Sequence, residues 1–261
     1  MEELIGPVEP KAFVTWQPGR SGPQGELFKT EHACSLSVDQ IPPLWLQKFP
    51  RGEEIIQKAF DLRRLQSSTV DNRLEERRKC EFEIFRSVER AFWMPKISTL
   101  FNDIDTFLGL AQSILQSRKS RSGKSLELHT KQILIEENFR LNQDFEHNST
   151  TENGKKPDFL FPSQGAYRDP SFPASKLRML AIKTTCKDRW RQVLDEADRI
   201  HGKHLLTLQE GLSESQFNQM THAGITLVVP QRIQKSYPQS VRPHLMSLES
   251  FLAELRVTLT N

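Results

Sequence analysis

An α/β architecture is predicted, with a mixed central sheet flanked by helices and an all-helical N-terminal subdomain ahead of it. Two patterns carry this expectation. In the first half of the chain apolar residues recur at helical spacing, and after Phe139 short β-rich runs alternate with helical ones. The length, 261 residues, adds a bound of one to two domains at roughly 150 residues each.

Element by element, residues 1–40 hold GPVEP and QPGRSGPQG and read as an irregular arm. Residues 41–115 form the helical subdomain. Its first helix, Glu53–Leu65, places Ile55, Ile56, Ala59, Phe60 and Leu62 on one side. A second, about Asp71 to Phe92, does the same with Leu74, Phe82, Phe85, Val88 and Phe92, and a third covers Ile104–Leu115. The basic, Ser/Gly-rich run Ser117–Ser125 reads as a break before a fourth helix through Leu126, Ile133, Leu134 and Ile135. Residues 116–261 form the core. Strands are expected at Phe159–Phe161, Leu177–Ile182, His204–Leu208 and Ile225–Val229. Helices are expected at about Lys187–His201, Ser215–Thr221 and Ser247–Leu255.

Composition narrows the function classes. Lys and Arg number 36 against 33 Asp and Glu, a net charge of +3, so any nucleic-acid partner must be met by local clusters of charge. Mean hydropathy is −0.55 and no long apolar run occurs, which excludes a spanning helix and a membrane partner. The acidic start MEELIGPVEPKAF lacks the apolar core of a secretory signal. Three dispersed cysteines, Cys34, Cys80 and Cys186, lack metal-ligand spacing. They point to a reduced compartment, a soluble intracellular protein and no zinc site.

Three pieces of the second half could carry chemistry together: Asp158 in Lys156-Pro157-Asp158, opening a strand; Lys183, ending the next strand; and Glu196, thirteen residues on. Adjacent strands end side by side, and a helix returning from the second strand covers that edge. On that helix Trp190, Val193, Leu194, Ala197 and Ile200 make a core-facing stripe, which Glu196 flanks. Two carboxylates supply hard oxygen ligands for Mg²⁺, which assists phosphodiester hydrolysis. Lys183 could orient the attacking water or stabilise charge developing on phosphorus. Separately, a Pro-Asp turn and a solvated strand-end lysine are ordinary features. Ala181, which shares a strand face with Lys183, stands where such nucleases usually keep an acid.

The run KKPDFLFPSQGAY (Lys155–Tyr167), with LRMLAIKTTCKDRWRQVLDEADRIH (Leu177–His201), resembles the EcoRII-type restriction endonucleases of the PD-(D/E)xK superfamily. The similarity extends through FPRGEEIIQ, SRSGKSLELH, HLLTLQEG and LVVP, across roughly residues 40–255. In that group a glutamate on the next helix replaces the missing strand acid, matching Glu196. The resemblance implies cleavage of double-stranded DNA at 5′-CCWGG, before the first C, with Mg²⁺ and 5′ overhangs. It also implies a bacterial cytoplasmic enzyme paired with a cytosine methyltransferase of the same specificity. Tyr167 matches a tyrosine implicated in catalysis; read from the residue alone, its hydroxyl could bond the phosphate or cap a loop.

The resemblance places the reading of G·C pairs at Lys187, Asp188 and Arg189. Arg and Lys donate to guanine and Asp accepts from cytosine; an ordinary helix N-terminus is the plain alternative. Arg78 and Phe82, four apart on one helix face, fall where relatives keep an arginine and an aromatic around an extruded central base; a packed phenylalanine with a solvated arginine competes. Arg118, Lys119, Arg121 and Lys124 read as phosphate contacts or as a solvated linker. Glu127 could orient the metal shell or lie exposed.

The enzyme that gives the family its name carries a large N-terminal effector domain, and the roughly forty residues before the resemblance are too few for one. The expectation is a stand-alone enzyme or a fragment, cutting single-site DNA. A twofold target with one site per chain implies a homodimer. Two other functions stay open: a DNA-binding protein with a degenerate nuclease core, and a structure-specific repair nuclease.

Overall fold

A computed structural model describes residues 34–64, 68–187 and 189–260. Helices α1 (Pro43–Gln47) and α2 (Gly52–Leu62) lead into two long helices, α3 (Val70–Ile97) and α4 (Ile104–Glu136). Caps set their starts: Thr69 accepts from the Asn72 N–H at the head of α3, and Asp103 accepts from the Thr106 N–H at 2.7 Å at the head of α4. The α2 helix matches the expected Glu53–Leu65 up to Leu62, and the predicted last residue lies outside the described segment.

The expected break at Ser117–Ser125 is overturned, because α4 runs unbroken through it. Serine, lysine and arginine are tolerated in helices, with glycine the main cost. Two of the arginines also bond across to α3: Arg118 donates to both oxygens of Glu89, at 2.6 and 3.0 Å, and Arg121 to Glu81 at 3.1 Å. The division expected at residue 115 therefore falls inside a helix. The expectation of free thiols is corrected for Cys34 and Cys80, which form a disulfide. The segment after Cys34 lies along α3, with the Cys34 and Leu36 N–H groups donating to Glu83 and Ser87 at 2.9 Å. No spacing rule signals a bridge across 46 residues.

The sheet contains five strands in sequential order: β1 (Glu146–His147), β2 (Phe159–Phe161), β3 (Arg178–Ile182), β4 (Lys203–Leu206) and β5 (Ile225–Val228). The pairs β1–β2 and β2–β3 are antiparallel, and β3–β4 and β4–β5 are parallel. Beside it lie α5 (Gln164–Arg168), α6 (Arg191–Leu194), α7 (Glu214–His222), α8 (Gln231–Gln234) and α9 (Leu248–Thr260). The two-residue β1 went unread because it is too short for a period.

Alternation along the strands divides the core. Leu160, Met179, Ala181, Leu205 and Leu227 pack with Trp190, Val193, Ala197 and Ile200. Phe159, Phe161, Leu180, Ile182, Leu206 and Val228 pack on the other face against Leu126 and Ile133 of α4 and Phe251 and Leu255 of α9. A third cluster, including Ile55, Ala59, Cys80, Ile84 and Phe85, joins α2 to α3.

The helix expected over Lys187–His201 is corrected to one turn, α6. The predicted stripe is buried, Leu194 partly so, but the chain turns after Asp195, and Ala197 adopts φ +51°.

On α3, Asp71 caps α9 by accepting from the Leu248 and Glu249 N–H groups at 3.1 and 3.3 Å. One turn on, Glu75 has a buried oxygen without a hydrogen-bond partner. Burial pushes its carboxyl up to about 7, aided by the charges of Asp71 and Glu76 and opposed by Arg232. The folded chain thus keeps a proton that the unfolded chain releases near pH 4.5. The stability this carboxyl contributes is complete below that pH and is lost as the pH climbs through about 7. Glu75→Gln is expected to stabilise the protein at pH 8 by roughly 2 kcal/mol, with the difference vanishing near pH 4 in denaturant titrations.

Candidate active site

Asp158 precedes β2 and Lys183 follows β3. One step beyond the Phe159–Leu180 pair, the antiparallel register sets Asp158 across from Ala181, and strand alternation puts Lys183 on the same face. The structure brings the two functional groups together. Asp158 Oδ2 accepts from the Ile182 N–H at 2.6 Å and lies 3.5 Å from Lys183 Nζ. The Lys183 N–H in turn donates to the Leu206 carbonyl at 3.0 Å, fixing this end of β3 against β4.

Glu196 arrives on the turn after α6, between Val193 and Ala197, both buried on the same sheet face. It is half-buried, and its Oε2 is buried with no hydrogen-bond partner. Burial pushes its carboxyl up; the Lys183 ammonium opposes that shift and the charge of Asp158 adds to it. Burial likewise pushes Asp158 up, against the pull of Lys183 and the Ile182 N–H and with a further push from Glu127. All three predicted residues therefore act on one another, and two carboxylates share one ammonium.

This donor set fits a hard divalent cation. An unpartnered buried carboxylate oxygen beside a second carboxylate lacks only positive charge, and Mg²⁺ is commonly held by one or two carboxylates together with substrate phosphate and water. Among the described residues no group of three or more His, Cys, Asp and Glu side chains is arranged to hold a metal ion. Glu127 is not the exposed residue considered from sequence. It is half-buried, meets His147 Nε2 and accepts from Asn148 Nδ2 at 2.8 Å, contacts that no motif signals.

Tyr167 is buried, and its hydroxyl donates to Glu152 while accepting from the Arg199 N–H at 3.1 Å. Burial and the Glu152 carboxylate raise its pKa well above the usual phenol. Lys187 and Arg189 are exposed in the turn that precedes α6; Asp188 lies outside the described residues.

Between α3 and α4, Arg78 Nη1 donates to Ser125 Oγ at 2.8 Å, and burial lowers its pKa to about 10. The Phe82 ring lies 5.1 Å from the Arg121 guanidinium. Lys119 and Lys124 are exposed, whereas Arg118 and Arg121 are engaged with α3. Behind Arg78 sits Glu81, which accepts from Ser125 and Arg121 and meets His129 Nε2 at 3.2 Å. Burial would raise Glu81, but the His129 hydrogen bond and the charges of Arg121 and Arg78 outweigh it and bring the carboxyl to about 2. Sequence reading missed this network because its members are dispersed over two helices.

The mixed five-stranded sheet and its flanking helices, with Asp158 and Lys183 at adjoining strand ends, make a PD-(D/E)xK-like fold. The family model described as EcoRII C terminal matches residues 85–252, and the chain belongs to that family. It is 46% identical over 258 residues to the type II restriction enzyme EcoRII of Escherichia coli, an alignment covering 98% of this chain and 62% of that protein. The chain thus spans less than two thirds of that relative. Among solved structures it resembles metal-depleted Ecl18kI in complex with uncleaved, modified DNA, with a TM-score of 0.66 and 20% identity over 81% of this chain and 80% of that one. The same enzyme with uncleaved DNA gives 0.61 and 21%, at the same coverage. At such identity these two establish the fold alone.

Removing Glu81 strands buried cations. Glu81→Ala should lower stability by about 3 kcal/mol, the usual cost of breaking a buried charge cluster from one side, read as a lower denaturant midpoint.

Proposed function

We propose that the chain is a type II restriction endonuclease that hydrolyses double-stranded DNA at 5′-CCWGG before the first C, using Mg²⁺ and acting as a homodimer in the bacterial cytoplasm. The observation that carries this is the unpartnered, buried Glu196 oxygen, on a carboxylate that feels both Asp158 and Lys183. Membership in the EcoRII C-terminal family and the 46% identity to EcoRII support it.

Asp158 and Glu196 would hold the cation, whose chemistry is Lewis-acid polarisation of the scissile phosphate. Lys183, held by Asp158 at 3.5 Å, would orient the attacking water and offset charge developing on the phosphoryl oxygens. Tyr167 would serve by fixing the backbone near Glu196. Base reading is assigned to Lys187, Asp188 and Arg189; exposure of the first and third leaves them accessible to a major groove. Arg78 and Phe82 would receive the extruded central base. Exposed Lys119 and Lys124 supply phosphate contacts; Arg118 and Arg121 would first have to leave Glu89 and Glu81. Exposed Leu100, Ile104, Phe107, Leu108 and Leu115 around the start of α4 provide apolar surface for a second copy. A cytosine methyltransferase of the same specificity would protect the host.

Digestion of unmethylated DNA with end mapping tests the assignment. Mg²⁺-dependent ends before the first C of CCWGG are expected. Stable binding without scission would instead favour the DNA-binding alternative raised by Ala181. Lys183→Ala should lose at least about 10²-fold in cleavage rate while low-salt binding persists. For Lys119→Ala, the log–log salt dependence of binding should flatten by about one unit; an unchanged slope removes Lys119 from the phosphate contacts.

A further inference from the structure

Glu196 sits on a segment whose conformation its own sequence does not favour. The chain leaves α6 after Leu194, and Ala197 takes φ +51°, a region that costs an L-residue roughly 1–2 kcal/mol. Ending the helix there leaves carbonyls without the amide partners that a longer helix would provide. Those of Leu194 and Glu196, together with the Ala197 carbonyl that also accepts from the Ile200 N–H at 2.9 Å, converge on one side chain. Lys203 Nζ donates to Leu194 O at 2.9 Å, to Ala197 O at 3.3 Å and to Glu196 O.

Lys203 is the first residue of β4 and only 5% exposed. Its own N–H donates to the Gly224 carbonyl at 2.9 Å, and its register partner on β5 is Ile225. The ammonium therefore projects from a strand paired to its neighbour. From the other side, the amides beyond Ala197 are held too: the Asp198 N–H donates to Glu152 Oε2 at 3.4 Å and the Arg199 N–H to Tyr167 Oη at 3.1 Å.

Resting on the nuclease reading of the site, we propose that Lys203 is a positioning residue. By gathering the three carbonyls it forces the turn that aims the Glu196 carboxylate at Asp158 and Lys183. A buried ammonium is expensive to desolvate unless hydrogen-bonded, and here it is bonded to the backbone of the residue whose side chain completes the site. Groups that orient metal-binding side chains typically change metal affinity by about 10- to 100-fold.

The test compares the unaltered protein with Lys203→Met and Glu196→Gln in two readouts. One is the rise in melting temperature of the DNA-free protein as Mg²⁺ is titrated. The other is the Mg²⁺ dependence of cleavage of a duplex with one CCWGG site. Lys203→Met should shift both midpoints to about 10-fold higher Mg²⁺ or more, keep duplex binding in EDTA, and recover most of the rate at saturating Mg²⁺. A merely structural role lowers the melting temperature without moving either midpoint, and that result overturns the proposal. Should Lys203→Met fail to melt cooperatively, Lys203→Arg carries the test. It keeps the charge but cannot seat one nitrogen on three carbonyls, so a smaller shift in the same direction is expected, and unshifted midpoints overturn the proposal. Glu196→Gln separates the two levels. If it loses the Mg²⁺ response while the Lys203 variants keep wild-type midpoints, only the positioning role falls; if it retains both activity and response, the reading of Glu196 falls and takes Lys203 with it.

Discussion

A carboxylate drawn out of water where two antiparallel strands separate is the constraint around which the core is arranged. Asp158 is half-buried, and burial alone pushes it toward its neutral form. It remains useful as an anion because the Ile182 N–H and the Lys183 ammonium face it. Both depend on β2 and β3 keeping register, since a slip of one residue sends every side chain to the opposite face. Register is secured by burial on both sides: Phe159 and Phe161 sit against α4 and α9, with Leu160 on the reverse. Packing far from the site thus acts on the site's electrostatics.

The same register bears on the second acid. Ala181 is 0% exposed and faces Asp158 across the strand pair. A carboxylate there would oppose Asp158 directly, an arrangement that destabilises a strand pair, and it would displace apolar packing against Trp190 and Val193. Supplying the carboxylate from the turn after α6 keeps the sheet apolar and moves the strain into a segment that other groups restrain. Two half-buried carboxylates beside one ammonium are unfavourable without further positive charge, which is the condition under which a functional site trades stability for ligand affinity.

The helical half answers a similar problem differently. Two of the basic residues on α4 are neutralised within the fold by Glu81 and Glu89 of α3, so little net field comes from them. Lys119 and Lys124 are exposed, and their flexible ammonium groups suit adjustable contact with phosphate. The internal network fixes Arg78 through Ser125, which itself donates to Glu81. A charged side chain is thereby held in place on the helix face that also carries Phe82.

Where sequence and structure agree, a period was available. The core strands were legible as short apolar runs between turns, and α2, α3, α7 and α9 as stripes at 3.6-residue spacing. The meeting of Asp158 and Lys183 was legible because adjacent strand ends lie together. Reading failed where burial and hydrogen bonding part company. Trp190, Val193, Ala197 and Ile200 are buried as a helical stripe demands, yet the backbone between them is mostly not helical. Apolar spacing reports which side chains leave water, not which amides pair with which carbonyls. The missing information lay in Lys203, whose place at the head of an apolar run suggests a solvated flank. A lysine that satisfies backbone rather than solvent has no signature in composition or period, and its effect appears only when the carbonyls it gathers can be seen. The same holds for Cys34 and Cys80: their pairing depends on how the segment after Cys34 lies along α3, a long-range contact that local pattern does not encode.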